Sequence, residues 1–150
     1  MLNSTEQCRF CNKTKQKIIY SSELFFVVRD SYPVTKHHTL IIPNRHVSDF
    51  FDLNDNELND LNKILKKQRQ SLLDLDKEIT GFNVGINVGV DAGQTIMHCH
   101  IHLIPRRKGD IENSRGGVRG VIPYKQKYIK LIQITFQKQE SWMVAWVKNY

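Results

Sequence analysis

The chain has 150 residues, 40% of them hydrophobic and 25% charged, with a formal net charge of +7. That length fits one domain with a core that needs no disulfide staples. The N-terminus reads polar ("MLNSTEQCRF") rather than as a signal peptide. No run approaches the roughly 20 apolar residues of a membrane span, so a soluble cytoplasmic protein without a membrane partner is expected.

Strand-like runs come first. "KIIYS" and "ELFFVVRD" are β-branched and aromatic, with "SSE" as the turn between them, and "HHTLIIP" follows, ended by Pro43. One long amphipathic helix is predicted next. Asn54 and Glu57 have capping-box spacing at its start. Leu58, Leu61, Ile64, Leu65, Leu72, Leu75 and Ile79 fall mostly on one face, and Gly81 is the expected stop. Two more strands are predicted, "GFNVGINVG", broken by "DAGQ", and "TIMHCHIHLIP". "ENSRGGVRGVIP" reads as a loop, with "VRGVIP" a candidate short strand. Near the C-terminus, Ile132, Ile134 and Phe136 alternate like a strand, and Trp142, Val144, Ala145, Trp146 and Val147 form an apolar patch expected to pack rather than insert in a membrane. This order is not a regular βαβ alternation. It implies an α+β domain, a mostly antiparallel sheet with a helix on one face.

Charge is concentrated late in the chain. Between Arg106 and Lys130 there are eight basic and two acidic residues, a local excess of +6. Such a field draws anions, phosphates or nucleic acid among them.

The three histidines of "MHCHIHLIPRR" stand two apart: His98, His100 and His102. On a strand they share a face, roughly 6.5–7 Å apart, while Cys99, Ile101 and Leu103 point into the core. They could be zinc ligands, a nucleophile with helpers, or a polar face. Nearby Asn87, Gly93, Gln94 and Thr95 supply amide, hydroxyl and accessible backbone groups. Such groups beside a histidine ridge suit a phosphate, with one neutral imidazole as nucleophile and others as proton or oxygen partners. Cys8-x2-Cys11 is half a zinc site and needs two more ligands. His46 and one ridge histidine are candidates; if His98 is that one, the shell closes and His100 and His102 stay free.

These motifs together resemble the histidine triad superfamily: His98-Cys99-His100-Ile101-His102-Leu103-Ile104, preceded by "AGQT" and followed by "IPRRKGD", with "RDSYPV", "HTLIIPNRH", "NVGINVG" and "GGVRGVIP" in order. The likeness runs from about Cys8 to Tyr128. It is greatest to bacterial-type proteins similar to dinucleoside polyphosphate hydrolases, the diadenosine tetraphosphate hydrolases included. The resemblance implies an α+β half-barrel of antiparallel strands, a homodimer, and a nucleotide or dinucleoside polyphosphate substrate; nucleic acid is not the expected partner. It implies that His100 attacks the α-phosphate to form a nucleotidyl-histidine, with no metal in that step. His38 and His102 would hold phosphate oxygens. Asn87, Gln94 and Thr95 would contact phosphate or leaving group, Asp30 the ribose, and Phe26 and Val28 the base. Cys8, Cys11, His46 and His98 would bind a structural Zn2+. Residues 1–130 would form this catalytic domain and 131–150 an extension of unknown role. A regulatory nucleotide-binding protein with little turnover, or a hydrolase with zinc on all three histidines, are the alternatives. In the family pattern a glycine stands before the residue matched by His38; here it is His37, expected as an exposed bystander.

Overall fold

The computed structural model describes residues 8–127; the stretches Ile132–Phe136 and Trp142–Val147 lie outside them. Five strands form one sheet: β1 Ile18–Ser21, β2 Phe25–Arg29, β3 Thr39–Pro43, β4 Ile79–Ile86 and β5 Ile101–Arg107, in the order β1-β2-β3-β5-β4. All pairings are antiparallel, and the sheet is open, with β1 and β4 at its edges. A single α-helix among the described residues, α1 Asp55–Leu75, connects β3 to β4. The α+β architecture is as the sequence pattern implies.

Both faces of the central strands are covered, which explains why β2 and β3 read as unbroken apolar runs. On one face Phe25, Val27, Ile41, Cys99 and Ile101 pack with Leu61 and Ile64 of α1. On the other, Phe26, Val28, Leu40 and Ile42 pack with Phe10 from the N-terminal "CRFC" turn. This turn does for one face what the helix does for the other.

The capping box forms as predicted. Glu57 N–H donates to Asn54 Oδ1 at 3.0 Å, and Asn54 N–H donates to Glu57 Oε2 at 2.9 Å. Glu57 is buried and also accepts two hydrogen bonds from Arg45, at 3.1 and 2.8 Å. The Arg45 guanidinium holds the Glu57 carboxyl below the usual range. Glu57→Gln is therefore expected to cost about 1–2 kcal/mol, discounted because Arg45 is half exposed. That lowers Tm by about 2–8 °C in a thermal melt at pH 7. Since the folded pKa is depressed, the contribution is present above the unfolded value of about 4.3 and fades as pH falls through the folded one. The wild-type and variant melts should converge in acid.

The structure corrects four local expectations. The helix stops at Leu75 rather than Gly81. Asp76 is its extended C-cap, and its carboxylate accepts from Glu78 N–H at 3.0 Å and Arg107 at 2.8 Å, which turns the chain directly into β4. Ile79 and Gly81 belong to β4, with a register shift between them. β5 begins only at Ile101; ahead of it Cys99 N–H donates to the Val47 carbonyl instead of a sheet partner. "VRGVIP" forms no strand: Gly117–Val121 and Pro123–Lys125 are 3-10 turns. His37 is partly buried, not a fully exposed bystander. Its φ of 70° lies in the left-handed region that favours glycine, and its ring sits 3.8 Å from the Asp76 carboxylate.

Candidate active site and metal centre

The alternation around β5 divides its residues between the two faces. Cys99, Ile101 and Leu103 are buried with the helix-side core. His100 and His102 lie on the other side and line a cleft of about 370 Å³, within the range of small-ligand pockets. In the sheet register His102 stands between Leu40 of β3 and Gly85 of β4. A Cβ added to Gly85 would meet nothing within 4 Å, so space remains open beside His102. The cleft is also lined by Phe10, Val28, Leu40 and Ile96 as apolar walls, and by Asp30 and Thr95.

His100 is buried, and its Nδ1 lies 2.8 Å from the His98 carbonyl. A carbonyl oxygen only accepts, so Nδ1 carries the proton and Nε2 keeps a lone pair. Phe10 packs edge-on against the ring, centroids 5.3 Å apart, and restrains it.

His98 is oriented differently. It is fully buried, and its Nε2–H donates to the Pro43 carbonyl at 2.9 Å. Its Nδ1 lone pair therefore faces the cysteines, 3.4 Å from Cys8 Sγ and 3.6 Å from Cys11 Sγ. Cys11 Sγ lies 3.2 Å from His46 Nδ1. The four ligand atoms of Cys8, Cys11, His46 and His98 lie within 4.8 Å of one another. A tetrahedral zinc with ordinary bond lengths sets sulfur and nitrogen about 3.6 Å apart. The donor set, the spacing and the carbonyl-fixed His98 ring fit a closed, four-coordinate ion. Burial and the neighbouring Cys8 thiol push Cys11 up to about 11, so its thiolate needs a cation beside it. The three triad histidines do not offer their nitrogens to one point: His98 turns to the cysteines, and His102 Nδ1 to His38 Nε2 at 2.9 Å.

The model of the HIT domain matches residues 12–109. The chain belongs to the histidine triad (HIT) family. It is 36% identical over 98 residues to the asymmetrical bis(5'-nucleosyl)-tetraphosphatase of Schizosaccharomyces pombe, a match covering 65% of this chain and 53% of that protein. It is also 42% identical over 93 residues to the nitrilase and fragile histidine triad fusion protein of Caenorhabditis elegans, covering 62% of this chain but 21% of that one. The chain thus spans about half or less of these two relatives. Among solved structures, a Zn-bound histidine triad family protein from Mycobacterium smegmatis superposes with a TM-score of 0.66 at 30% identity, over 73% of this chain and 81% of that one.

Other residues singled out from the sequence are distributed as follows. Asp30, Thr95, His100 and His102 line the cleft. His38 sits behind His102, buried, with Asp30 on its far side at 3.3 Å. Gln94 is buried and bonded within its own loop and to the neighbouring one: its amide donates to the Ser48 and Ile96 carbonyls, and its oxygen accepts from Gly89 N–H. Asn87 is half buried near Gly93. Val28 lines the cleft, whereas Phe26 lies beneath it in the core.

Arg106 and Arg107, read from the sequence as the start of a phosphate-attracting field, are engaged elsewhere. Arg106 grips Asp110 through two nitrogens at 2.8 Å each, and Arg107 binds Asp76 at 2.8 Å. The arginines on the cleft are Arg9 and Arg29, which the sequence reading did not single out. Arg9 lies inside "CRFC", so a turn that must reach His98 carries Arg9 and Phe10 to the triad as well.

Proposed function

We propose that this HIT protein is a nucleotide hydrolase or transferase acting at the α-phosphate of dinucleoside polyphosphates or related nucleotide conjugates. The observation that carries this reading is the His100 ring, with Nδ1–H fixed on the His98 carbonyl and the Nε2 lone pair in the cleft. Attack by Nε2 on the α-phosphorus would form a P–N bond and break the bond to the leaving group, whose oxygen keeps the electron pair. Water would then release the nucleoside monophosphate. Asp30 would hold the ribose hydroxyls and Val28 one side of the base. His102 would face the reacting phosphate, with His38 behind it and Thr95 at the leaving-group end. Asn87 and Gln94 would reach the phosphates only after their loop shifts. Relatives named as a tetraphosphatase, a triphosphatase of Dictyostelium discoideum and an AP-4-A phosphorylase of Mycobacterium tuberculosis support this substrate class. The test is a panel of dinucleoside polyphosphates, nucleoside phosphoramidates and nucleotide sugars, read by product identity for wild type and His100→Ala.

Cys8, Cys11, His46 and His98 would hold a zinc ion that is structural. Bound there, it supplies no chemistry to the phosphate; it ties the "CRFC" turn, and hence Phe10 and Arg9, to the triad. The expected location is cytoplasmic; no helix among the described residues is long and apolar enough to cross a membrane. A homodimer is part of the same reading. β4 is an eight-residue edge with no charged residue or proline, and Val84 on it is 46% exposed, a surface open to pairing with another strand. Sedimentation at micromolar concentration should give twice the chain mass for wild type and a shift towards monomer for Val84→Lys. A monomeric wild type contradicts it.

A further inference from the structure

The cleft runs across the strands rather than along them. In the sheet register His102 of β5 stands beside Leu40 of β3, Leu40 beside Val28 of β2, and Val28 beside Ile18 at the start of β1. A phosphate at His102 and a base at Val28 are thus two strand spacings apart, about 10 Å. The end of the cleft farthest from the triad lies where β1 begins and β2 ends. Two polar side chains that the proposed chemistry does not use stand there. Gln16 lies two residues before β1. Arg9 reaches across from the "CRFC" turn to the residue after Asp30, its Nη2 donating to Ser31 Oγ at 3.0 Å. Both Arg9 and Gln16 line the cleft.

The two side chains are linked, and the link sets what they offer. Gln16 Nε2 donates to the Arg9 carbonyl at 2.9 Å. A carbonyl only accepts, so the amide nitrogen faces Arg9 and Oε1 is left as an acceptor, without a hydrogen-bond partner among the described residues. Arg9 spends one N–H on Ser31, and a parallel pair of N–H groups remains on its rigid fork. Arg29, the other arginine of the cleft wall, donates instead to Thr39 and the His37 carbonyl. Beside the apolar Val28 and Phe10, the base end of the cleft therefore presents two donors from Arg9 and an acceptor from Gln16.

That pattern separates the two purines. Guanine presents N7 and O6 as neighbouring acceptors, followed along the same edge by N1–H as a donor. Adenine presents N7 as an acceptor, then the N6 amino group as a donor, then N1 as an acceptor. Guanine matches all three protein groups. Adenine sets its amino hydrogens against the guanidinium and its N1 lone pair against Gln16 Oε1.

We propose that Arg9 and Gln16 make this cleft selective for guanine nucleotides. The Arg9 fork donates to N7 and O6, steadied by Ser31, and Gln16 Oε1 accepts from N1–H. The proposal rests on the nucleotide reading above and adds the identity of the base to it.

The test is calorimetric binding of GMP and AMP to the zinc-loaded full chain, which needs no turnover. A bidentate arginine–guanine pair predicts that GMP binds about 10–100-fold more tightly than AMP. Arg9→Met keeps the length of the side chain and removes the fork, and it should bring GMP down to the AMP level while AMP changes little. Gln16→Met lies outside the metal turn and should narrow the preference several-fold, so the proposal stays testable if Arg9→Met loses zinc. With a mixed adenosine–guanosine tetraphosphate, wild type should release GMP and ATP rather than AMP and GTP. Equal affinity for the two nucleotides in wild type, or tighter AMP, overturns the proposal. So does an undiminished preference in either folded variant, or an equal loss of both nucleotides in Arg9→Met, which would mean that Arg9 stacks on the base without reading its edge. A wild type that binds neither nucleotide overturns the nucleotide reading itself. Guanine preference without hydrolysis of the mixed substrate leaves the base assignment standing and counts against the hydrolase.

Discussion

His100→Ala is expected to lower turnover of a dinucleoside polyphosphate by at least about 10³-fold, while the fold survives. Loss of a covalent nucleophile removes the route rather than slowing it, and what remains is catalysis by binding and positioning alone. The substitution leaves a space beside Phe10 and frees the His98 carbonyl from one partner. The one touches the turn between Cys8 and Cys11 and the other the backbone of His98, but neither touches the four clustered donor atoms, so the melt should shift only modestly. Nucleotide binding, followed by calorimetry with a non-hydrolysable analogue, should persist, because Asp30, Val28 and His102 still line the cleft. Full activity in a folded His100→Ala protein would remove the basis of the mechanism.

Loss of the metal is expected to have the next largest effect, and it should reach the active site through the "CRFC" turn. A ligand at a thousandfold excess over its Kd stabilises the folded state by about 4 kcal/mol. At about 2–4 °C per kcal/mol, chelation or Cys8→Ser should lower Tm by about 8–16 °C. Activity should fall as well, because Phe10 packs on His98 and His100 and Arg9 lines the cleft from the same turn. Cys99→Ser is the matched control. Cys99 is buried on the helix side with its thiol pushed up to about 12, and it is not among the four clustered donors. Metal analysis should return one zinc per chain for wild type and Cys99→Ser, and none for Cys8→Ser. A wild type free of zinc after zinc-supplemented purification, or stoichiometric zinc in Cys8→Ser, would contradict the assignment.

The parts of this fold that were legible in the sequence are those governed by short-range periodicity. Two-residue alternation set Cys99, Ile101 and Leu103 apart from His100 and His102, and the Asn54–Glu57 spacing marked the start of α1. The end of α1 was not legible, because Ile79 continues the helical apolar pattern. What stops the helix is the Asp76 carboxylate, whose partner Arg107 lies 31 residues further on. The same distant pair explains why the arginines after the triad were misplaced: their charges are neutralised by Asp76 and Asp110 and are not presented to the cleft. Only the shorter of these pairings, Arg106 with Asp110, is visible as a four-residue spacing. His37 illustrates the same limit. Its side chain gave no sign of function, and the informative feature is its positive φ, a backbone property. The cleft itself was half legible. Asp30, Thr95, His100 and His102 came from motifs, but Arg9 and Phe10 reach it only because their flanking cysteines turn towards His98.

The stereochemical course at the α-phosphorus tests the central claim most directly. A substrate with a chiral α-phosphorothioate is hydrolysed in oxygen-18 water, and the configuration of the released nucleoside phosphorothioate is determined. Attack by His100 followed by attack by water makes two in-line displacements, and the account predicts net retention. Net inversion, the signature of a single displacement by water, would contradict it.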